Sequence, residues 1–275
     1  MFDFLRFMFS FSKESSAHFP IFDDRSLETL RRYLCDYNPP EGCVNRINIL
    51  LYGMVGAGKS AAINTFLSAL DQHGTTTNCV PTGDDLKSLT PQLKAYRLNA
   101  LQFWDPSGWN ALDDADRGKK VLTMILEGRV PPGTDLQHFK PDSDNQYLVI
   151  PENVIHGVAF IFNTDTMDNI SKELMEQFKD LQTIVAQKYI QRIMIGTKLD
   201  QLEIPKKYYH IIYNYKPLQN KFAKFSSSTG MDKNQMFIIS NELKGVNIER
   251  TKCILALYAL ENMVRNIDKY FKVAQ

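Results

Sequence analysis

A chain of 275 residues gives, at roughly 150 residues per domain, one large domain or two small ones, with room for a full hydrophobic core. Hydrophobic residues at 44% and charged residues at 23% exclude collagen-like, low-complexity and wholly disordered classes. With 32 Lys+Arg against 31 Asp+Glu, the formal net charge of +1 supplies no bulk attraction to nucleic acid or anionic membrane, so no nucleic-acid partner is expected and recognition has to be local.

The four cysteines, Cys35, Cys43, Cys79 and Cys253, are widely spaced and include no C-x-x-C, which argues against a disulfide scaffold or zinc site and suits a reducing, cytoplasmic setting. No run approaches the roughly 18 uninterrupted apolar residues of a membrane span. Residues 1–21 form an aromatic-rich arm in which Phe2, Phe4, Phe7, Phe9 and Phe11 are mixed with Asp3, Arg6 and Lys13. Asp3 and Arg6 spoil a secretory signal. Two readings stay open: an arm that is disordered or docks on its own domain or a partner, which is favoured, and one that dips into a membrane surface.

A short helix is predicted over residues 26–36, capped by Ser26, with Leu27, Leu30, Tyr33 and Leu34 at helical spacing. Residues 46–52 read as a strand buried on both faces, followed by a Gly-rich turn and a helix marked by Ile63, Phe66, Leu67 and Leu70 that ends near His73 and Gly74. The polar stretch 75–88 reads as a mobile loop. Residues 96–104 have strand character, with a tight bend at Asn99 and Ala100, and helical spacing returns at Val121, Leu122, Ile125 and Leu126. Residues 128–153, rich in Pro, Gly, Asp and Asn, read as a long surface insertion.

Strands are predicted at 157–162, 190–195 and 236–240, and a helix with Ile170, Leu174, Phe178, Leu181 and Val185 on one face. Another helix, interrupted at Pro217, covers 208–225. A final helix repeats Cys253, Leu257, Leu260, Val264, Ile267 and Phe271 at steps of four and three. Strands alternating with helices imply a doubly wound, mainly parallel α/β sheet of about six strands with helices on both faces.

Gly53-Met54-Val55-Gly56-Ala57-Gly58-Lys59-Ser60 fits G-x-x-x-x-G-K-[ST] between a strand and a helix. Glycines let successive N–H groups curl toward phosphate oxygens, and the helix adds its positive end. The candidate phosphate-binding set is therefore Gly53, Val55, Gly56, Ala57, Gly58, Lys59, Ser60 and Ala61. Lys59 reaches the β- and γ-phosphates, and the Ser60 hydroxyl ligates Mg²⁺. Asp105, in Trp104-Asp105-Pro106-Ser107-Gly108, stands where an aspartate holds Mg²⁺ through water, and Gly108 lets a backbone N–H approach the γ-phosphate.

Thr197-Lys198-Leu199-Asp200 fits [NT]-K-x-D. An Asp200 carboxylate accepts from the guanine N1–H and 2-amino groups, which adenine cannot supply. Lys198 lies along the ring, and Thr197 ties this loop to the phosphate loop. Ser240 and Asn241, with Glu242, come after the last strand, where backbone N–H groups reach the guanine carbonyl. The expected ligands are GTP or GDP with Mg²⁺.

In this order and spacing the strand, GMVGAGKS, WDPSG, IHGVAFIF and TKLD resemble the GTPase-like domain of the interferon-induced protein 44 family, over about Phe22 to Phe271. The resemblance implies a cytoplasmic guanine-nucleotide-binding protein of innate immune or related stress responses. Its members usually carry additional N-terminal sequence, which this chain lacks. Residues 22–275 are accordingly read as the G domain, a P-loop NTPase with a Ras-like sheet.

For catalysis the pattern is incomplete. The residue after D-x-x-G is Trp109, which cannot orient water as a glutamine does, and Val55 crowds the γ-phosphate. Thr75, Thr76, Thr77, Thr82 and Thr90 all qualify as the first-switch threonine, and Thr82 is chosen beside Lys59 as catalytic. The switches are expected at 75–90 and 106–117. The reading is a slow GTPase switch, completed by a nucleotide-dependent homodimer or an effector protein. Its rivals are a scaffold that binds GTP or GDP without turnover, and an ATP-dependent P-loop protein.

Overall fold

The computed structural model describes residues 19–71, 75–77, 79–82, 92–106, 114–141, 147–241 and 247–274. Among these, six strands form one sheet: β1 Ile47–Gly53, β2 Lys94–Leu98, β3 Leu101–Asp105, β4 Gly157–Asn163, β5 Gln191–Thr197 and β6 Met236–Ile238. Their order is β2-β3-β1-β4-β5-β6, parallel throughout except for the antiparallel β2–β3 pair. Every residue of β1 is buried, as a central strand covered on both faces requires.

Alternation within β1 divides the core. Ile47, Ile49 and Leu51 pack with α1 Asp24–Cys35, α2 Lys59–Leu70 and α6 Arg250–Ala274. Leu50 and Tyr52 face the opposite way, toward α3 Ala115–Leu126, α4 Lys172–Gln187 and α5 Lys216–Thr229. In α6, Cys253, Leu257, Leu260, Val264 and Ile267 are all buried, along the stripe their spacing predicts. The β2–β3 turn falls at Asn99 and Ala100, with Asn99 at φ +52°, a conformation its short polar side chain tolerates. The fold is the expected P-loop α/β architecture.

The structure corrects the sequence-based expectation in several places. Asp23, not Ser26, caps α1: its Oδ1 accepts from Ser26 N at 2.7 Å. Pro217 does not interrupt a helix. It lies in the first turn of α5, where a missing N–H does no harm, while residues 206–214 form a separate 3-10 segment. The last strand is shorter than expected, ending at Ile238. In the region of 128–153, Val130, Leu136 and Phe139 are buried, and one Arg117 nitrogen donates to the carbonyls of Leu136, Gln137 and Phe139 at 2.6 to 3.0 Å. Residues 133–135 also hydrogen-bond with Leu93 and bridge to Gln92. The described part of this region is a fastened element and not a surface excursion.

The described part of 75–82 is fastened as well. Thr75 N donates to Asp71 Oδ2, Thr77 N to Ser68 Oγ, and the Asn64 amide grips both backbone groups of Val80 at 2.8 and 2.9 Å. Of the aromatic arm, Phe19 is described, and it stacks on Tyr213 at 4.9 Å between ring centroids. Phe2 to Phe11 lie outside the described residues. Among the described residues no helix is long and apolar enough to cross a membrane.

Candidate functional site

The carboxyl end of β1 runs into residues 54–58 and then into α2. Gly53 sits where a Cβ would drive into the Ile161 carbonyl of the neighbouring strand. Gly56 and Gly58 have φ of +76° and +94°. At Gly58 a Cβ would also lie 3.0 Å from Asn241 Nδ2 and 3.3 Å from Thr197 Oγ1, so only glycine fits. Gly58 is the N-cap of α2 and supplies no side-chain cap, which leaves first-turn N–H groups for an anion.

Lys59 is 7% exposed, and among the described residues its hydrogen-bond acceptor is Met54 O, at 3.4 Å. Burial pushes its ammonium below the ordinary lysine range, with the Asp105 charge opposing. Ser60 Oγ donates to Asp105 Oδ2 at 2.6 Å. Burial raises the Asp105 carboxyl, against the Ser60 hydrogen bond and the charges of Lys59 and Lys94. Val55 is exposed at the loop, while Ala57 and Ala61 are buried beneath it.

Thr197, fully buried, places its hydroxyl 2.5 Å from Ala57 O and 3.1 Å from Phe162 O, linking β5 to the phosphate loop. Lys198 comes next in left-handed backbone, φ +56°, and Asp200 is exposed on the 3-10 turn Leu199–Leu202, whose Leu199 is fully buried. Ser240 is buried at the neighbouring strand end. The Asn241 side chain turns to the phosphate loop, donating to Gly58 O at 3.4 Å. Thr82 is exposed, two residues beyond the Val80 that Asn64 holds. Gly108, Trp109, Thr90 and Glu242 lie outside the described residues.

The donor set fits a polyphosphate and a hard cation. A nearly buried ammonium with one long acceptor has N–H groups to spare for phosphate oxygens, and a hydroxyl beside a carboxylate is oxygen chemistry suited to Mg²⁺. Sequence reasoning missed Asn64, whose only signal is a polar residue at a buried helical position between Ile63 and Phe66.

Similarity to known proteins carries the comparison beyond geometry. The chain is 26% identical over 254 residues to interferon-induced protein 44 of Mus musculus, covering 88% of this chain and 60% of that protein. Its curated homologues are interferon-induced protein 44 proteins. Interferon-induced protein 44-like of Homo sapiens is 24% identical over 250 residues, covering 86% of this chain and 55% of the relative. The chain thus spans about 60% or less of the length of the curated relatives it matches. No family model matches it. Among solved structures, Toc33 from Arabidopsis thaliana in complex with GDP and Mg²⁺ superposes with a TM-score of 0.50 at 11% identity, over 91% of this chain and 94% of that one. That likeness concerns the fold alone. The resemblance read from the four motifs and the strand before them therefore extends along most of the chain, onto a P-loop α/β fold.

Proposed function

We propose that this chain binds GTP and GDP with Mg²⁺ and hydrolyses GTP slowly, as a nucleotide-dependent switch in the cytoplasm. The observation that carries the reading is the buried, under-bonded Lys59 beside the Ser60–Asp105 pair, at the mouth of a glycine-built loop. The homologues and the fold support nucleotide binding and an immune context. Residues 22–275 act as the G domain, with 1–21 as an arm whose last described ring, Phe19, is docked on Tyr213.

In this reading Gly53, Val55, Gly56, Ala57, Gly58 and Ala61 shape the cradle for the phosphates, and Lys59 neutralises the β- and γ-phosphate charge. Ser60 and Asp105 would hold Mg²⁺, which supplies charge neutralisation on the phosphate oxygens. Gly108 offers a backbone N–H, and Thr82 belongs to the first switch. Thr197, Lys198, Asp200, Ser240 and Asn241 form the base-reading side, where Asp200 accepts from guanine and leaves a desolvated carboxylate unpaired with adenine.

Trp109 in the place of a water-orienting glutamine favours a second reading, a scaffold that binds GTP or GDP and does not turn it over. Completion of the site by a homodimer or an effector distinguishes a switch from that scaffold. Calorimetric titration with GTP, GDP and ATP in Mg²⁺ tests the binding reading: guanine nucleotides are expected to bind and ATP to bind at least about tenfold more weakly. A preference for ATP overturns it. Single-turnover hydrolysis then separates switch from scaffold, because phosphate release no faster than from free GTP at high protein concentration removes the enzyme.

A further inference from the structure

The helix that begins with Lys59 and Ser60 carries a second row of polar side chains further along. Asn64, Ser68 and the C-cap Asp71 follow at steps of four and three, so they line one side of α2. Each takes hold of main chain in the described part of 75–82. Asp71 Oδ2 accepts from Thr75 N at 2.8 Å and Ser68 Oγ from Thr77 N at 2.7 Å, while Asn64 bonds both main-chain groups of Val80.

The Asn64 contact is the most specific of the three. Its Nδ2 donates to Val80 O at 2.8 Å and its Oδ1 accepts from Val80 N at 2.9 Å, the same double exchange that a residue on a neighbouring strand makes. Both residues are 2% exposed. An asparagine in a helix interior forgoes helix propensity, and a buried amide is tolerated only when bonded. What it bonds is the chain that leads to Thr82. Asn64 stands four residues, about 6 Å along the axis, from Ser60, and Thr82 lies two residues beyond Val80, at most about 7 Å of extended chain. The point from which Thr82 starts is therefore set by the same helix that carries Lys59 and Ser60.

We propose that Asn64 is a positioning residue for the first switch, fixing Val80 on α2 and so setting the reach of Thr82 toward the γ-phosphate side of the site. This rests on the guanine-nucleotide reading above and on its choice of Thr82. The expected signature is selective. A first-switch contact is made in the triphosphate state and released with a diphosphate, so a slackened Val80 weakens the first and spares the second.

The test is titration with GDP and with GMPPNP, a triphosphate analogue that is not hydrolysed, in Mg²⁺, of the wild-type chain, Asn64→Leu, Thr82→Ala and the double variant, alongside thermal melts. Asn64→Leu is expected to lose about fivefold in GMPPNP affinity while its GDP affinity stays within about twofold. In the Thr82→Ala background the same substitution should add no more than about twofold, because the residue it positions is gone. Asn64→Ala is read in the same way should the leucine variant fold poorly. A wild type that binds neither nucleotide overturns the nucleotide reading and the proposal with it, and unchanged GMPPNP affinity in Thr82→Ala overturns the choice of Thr82 and the proposal with it. A loss in Thr82→Ala beside an unchanged GMPPNP:GDP ratio in Asn64→Leu overturns the role of Asn64 alone. Equal loss for both nucleotides with a lowered melting temperature, or losses that simply add in the double variant, assigns Asn64 to packing and overturns it too.

Discussion

Buried polar side chains gather at both ends of the sheet, and they differ in what they hold. At the carboxyl end Lys59 is 7% exposed and meets one carbonyl at 3.4 Å. At the amino end Asn48 is fully buried, its amide donates to Glu152 O and Val154 O at 2.8 Å each, and its backbone N–H donates to His156 Nδ1 at 2.9 Å. Desolvated donors are tolerated when the protein supplies their acceptors. Among the described residues Asn48 has an acceptor for each amide N–H, whereas Lys59 has one long bond for its ammonium, so the first is built to join chain segments and the second to receive something from outside.

The largest expected effect comes from that contrast. Lys59→Ala should lower GTP affinity by about a hundredfold or more while leaving the melting temperature unchanged or higher, because it removes a buried cation with little to bond. Calorimetry and a thermal melt on the same variant check both halves. If stability falls steeply while affinity survives, Lys59 is a structural residue and the contrast is gone.

At the other end the expected effect is on stability and depends on pH. Burial, helped by the Arg46 charge, pushes His156 down to about 4. Between about pH 6.5 and 4 the unfolded chain therefore binds a proton that the folded chain refuses. The stability that neutral His156 contributes is complete above about pH 6.5 and drains as pH falls toward 4, a loss of up to about 3 kcal/mol. His156→Asn keeps an acceptor near the Nδ1 position and cannot titrate. Urea melts from pH 7.5 to 4.5 should show a shallower decline in the variant, and parallel curves would sink the assignment.

Asn48→Leu sharpens the same comparison with a smaller change. It strips Val154 O of its Asn48 donor and leaves Glu152 O with Arg46 Nη2 at 3.0 Å, which should cost about 1 kcal/mol in stability. Nucleotide affinity should stay within about twofold, since the carboxyl end is untouched. A large affinity loss would mean that the two ends are mechanically one.

How much of this is legible in the sequence depends on how local each device is. Residues 53–60 are contiguous, and their glycines, lysine and serine act through backbone shape, so spacing alone exposes them. The α6 stripe is legible for the same reason, as a repeat within one element. The hold of Arg117 on carbonyls of residues 136–139, the Asn64 grip on Val80 and the Tyr213 hydroxyl accepting from Ile238 N each join separated segments. No periodicity announces such a partner. Residues 128–153 mislead because Pro, Gly, Asp and Asn dominate the composition, whereas three aperiodic apolar residues, Val130, Leu136 and Phe139, decide the packing. Asp23 escapes notice as a cap because Ser26 is an equally good capping type three residues later.

The smallest predicted effect concerns the joint between the two halves of the candidate site. Thr197 is fully buried, and its hydroxyl is shared between Ala57 O in the phosphate loop and Phe162 O at the end of β4. Thr197→Val keeps the shape and removes the donor, leaving the Ala57 carbonyl short of a partner at a cost of about 1 kcal/mol. Losing that bond shifts the base-reading loop and the cradle relative to each other without touching the 2-amino contact. The variant should therefore weaken GDP and IDP, the analogue without the 2-amino group, alike by about fivefold and leave their ratio intact. A loss confined to GDP would instead mean that the Thr197 bond tunes the contact with that one group. Unchanged affinity for both nucleotides would mean that the two loops keep their places independently, with the Thr197 hydroxyl a local strand-end bond and nothing more.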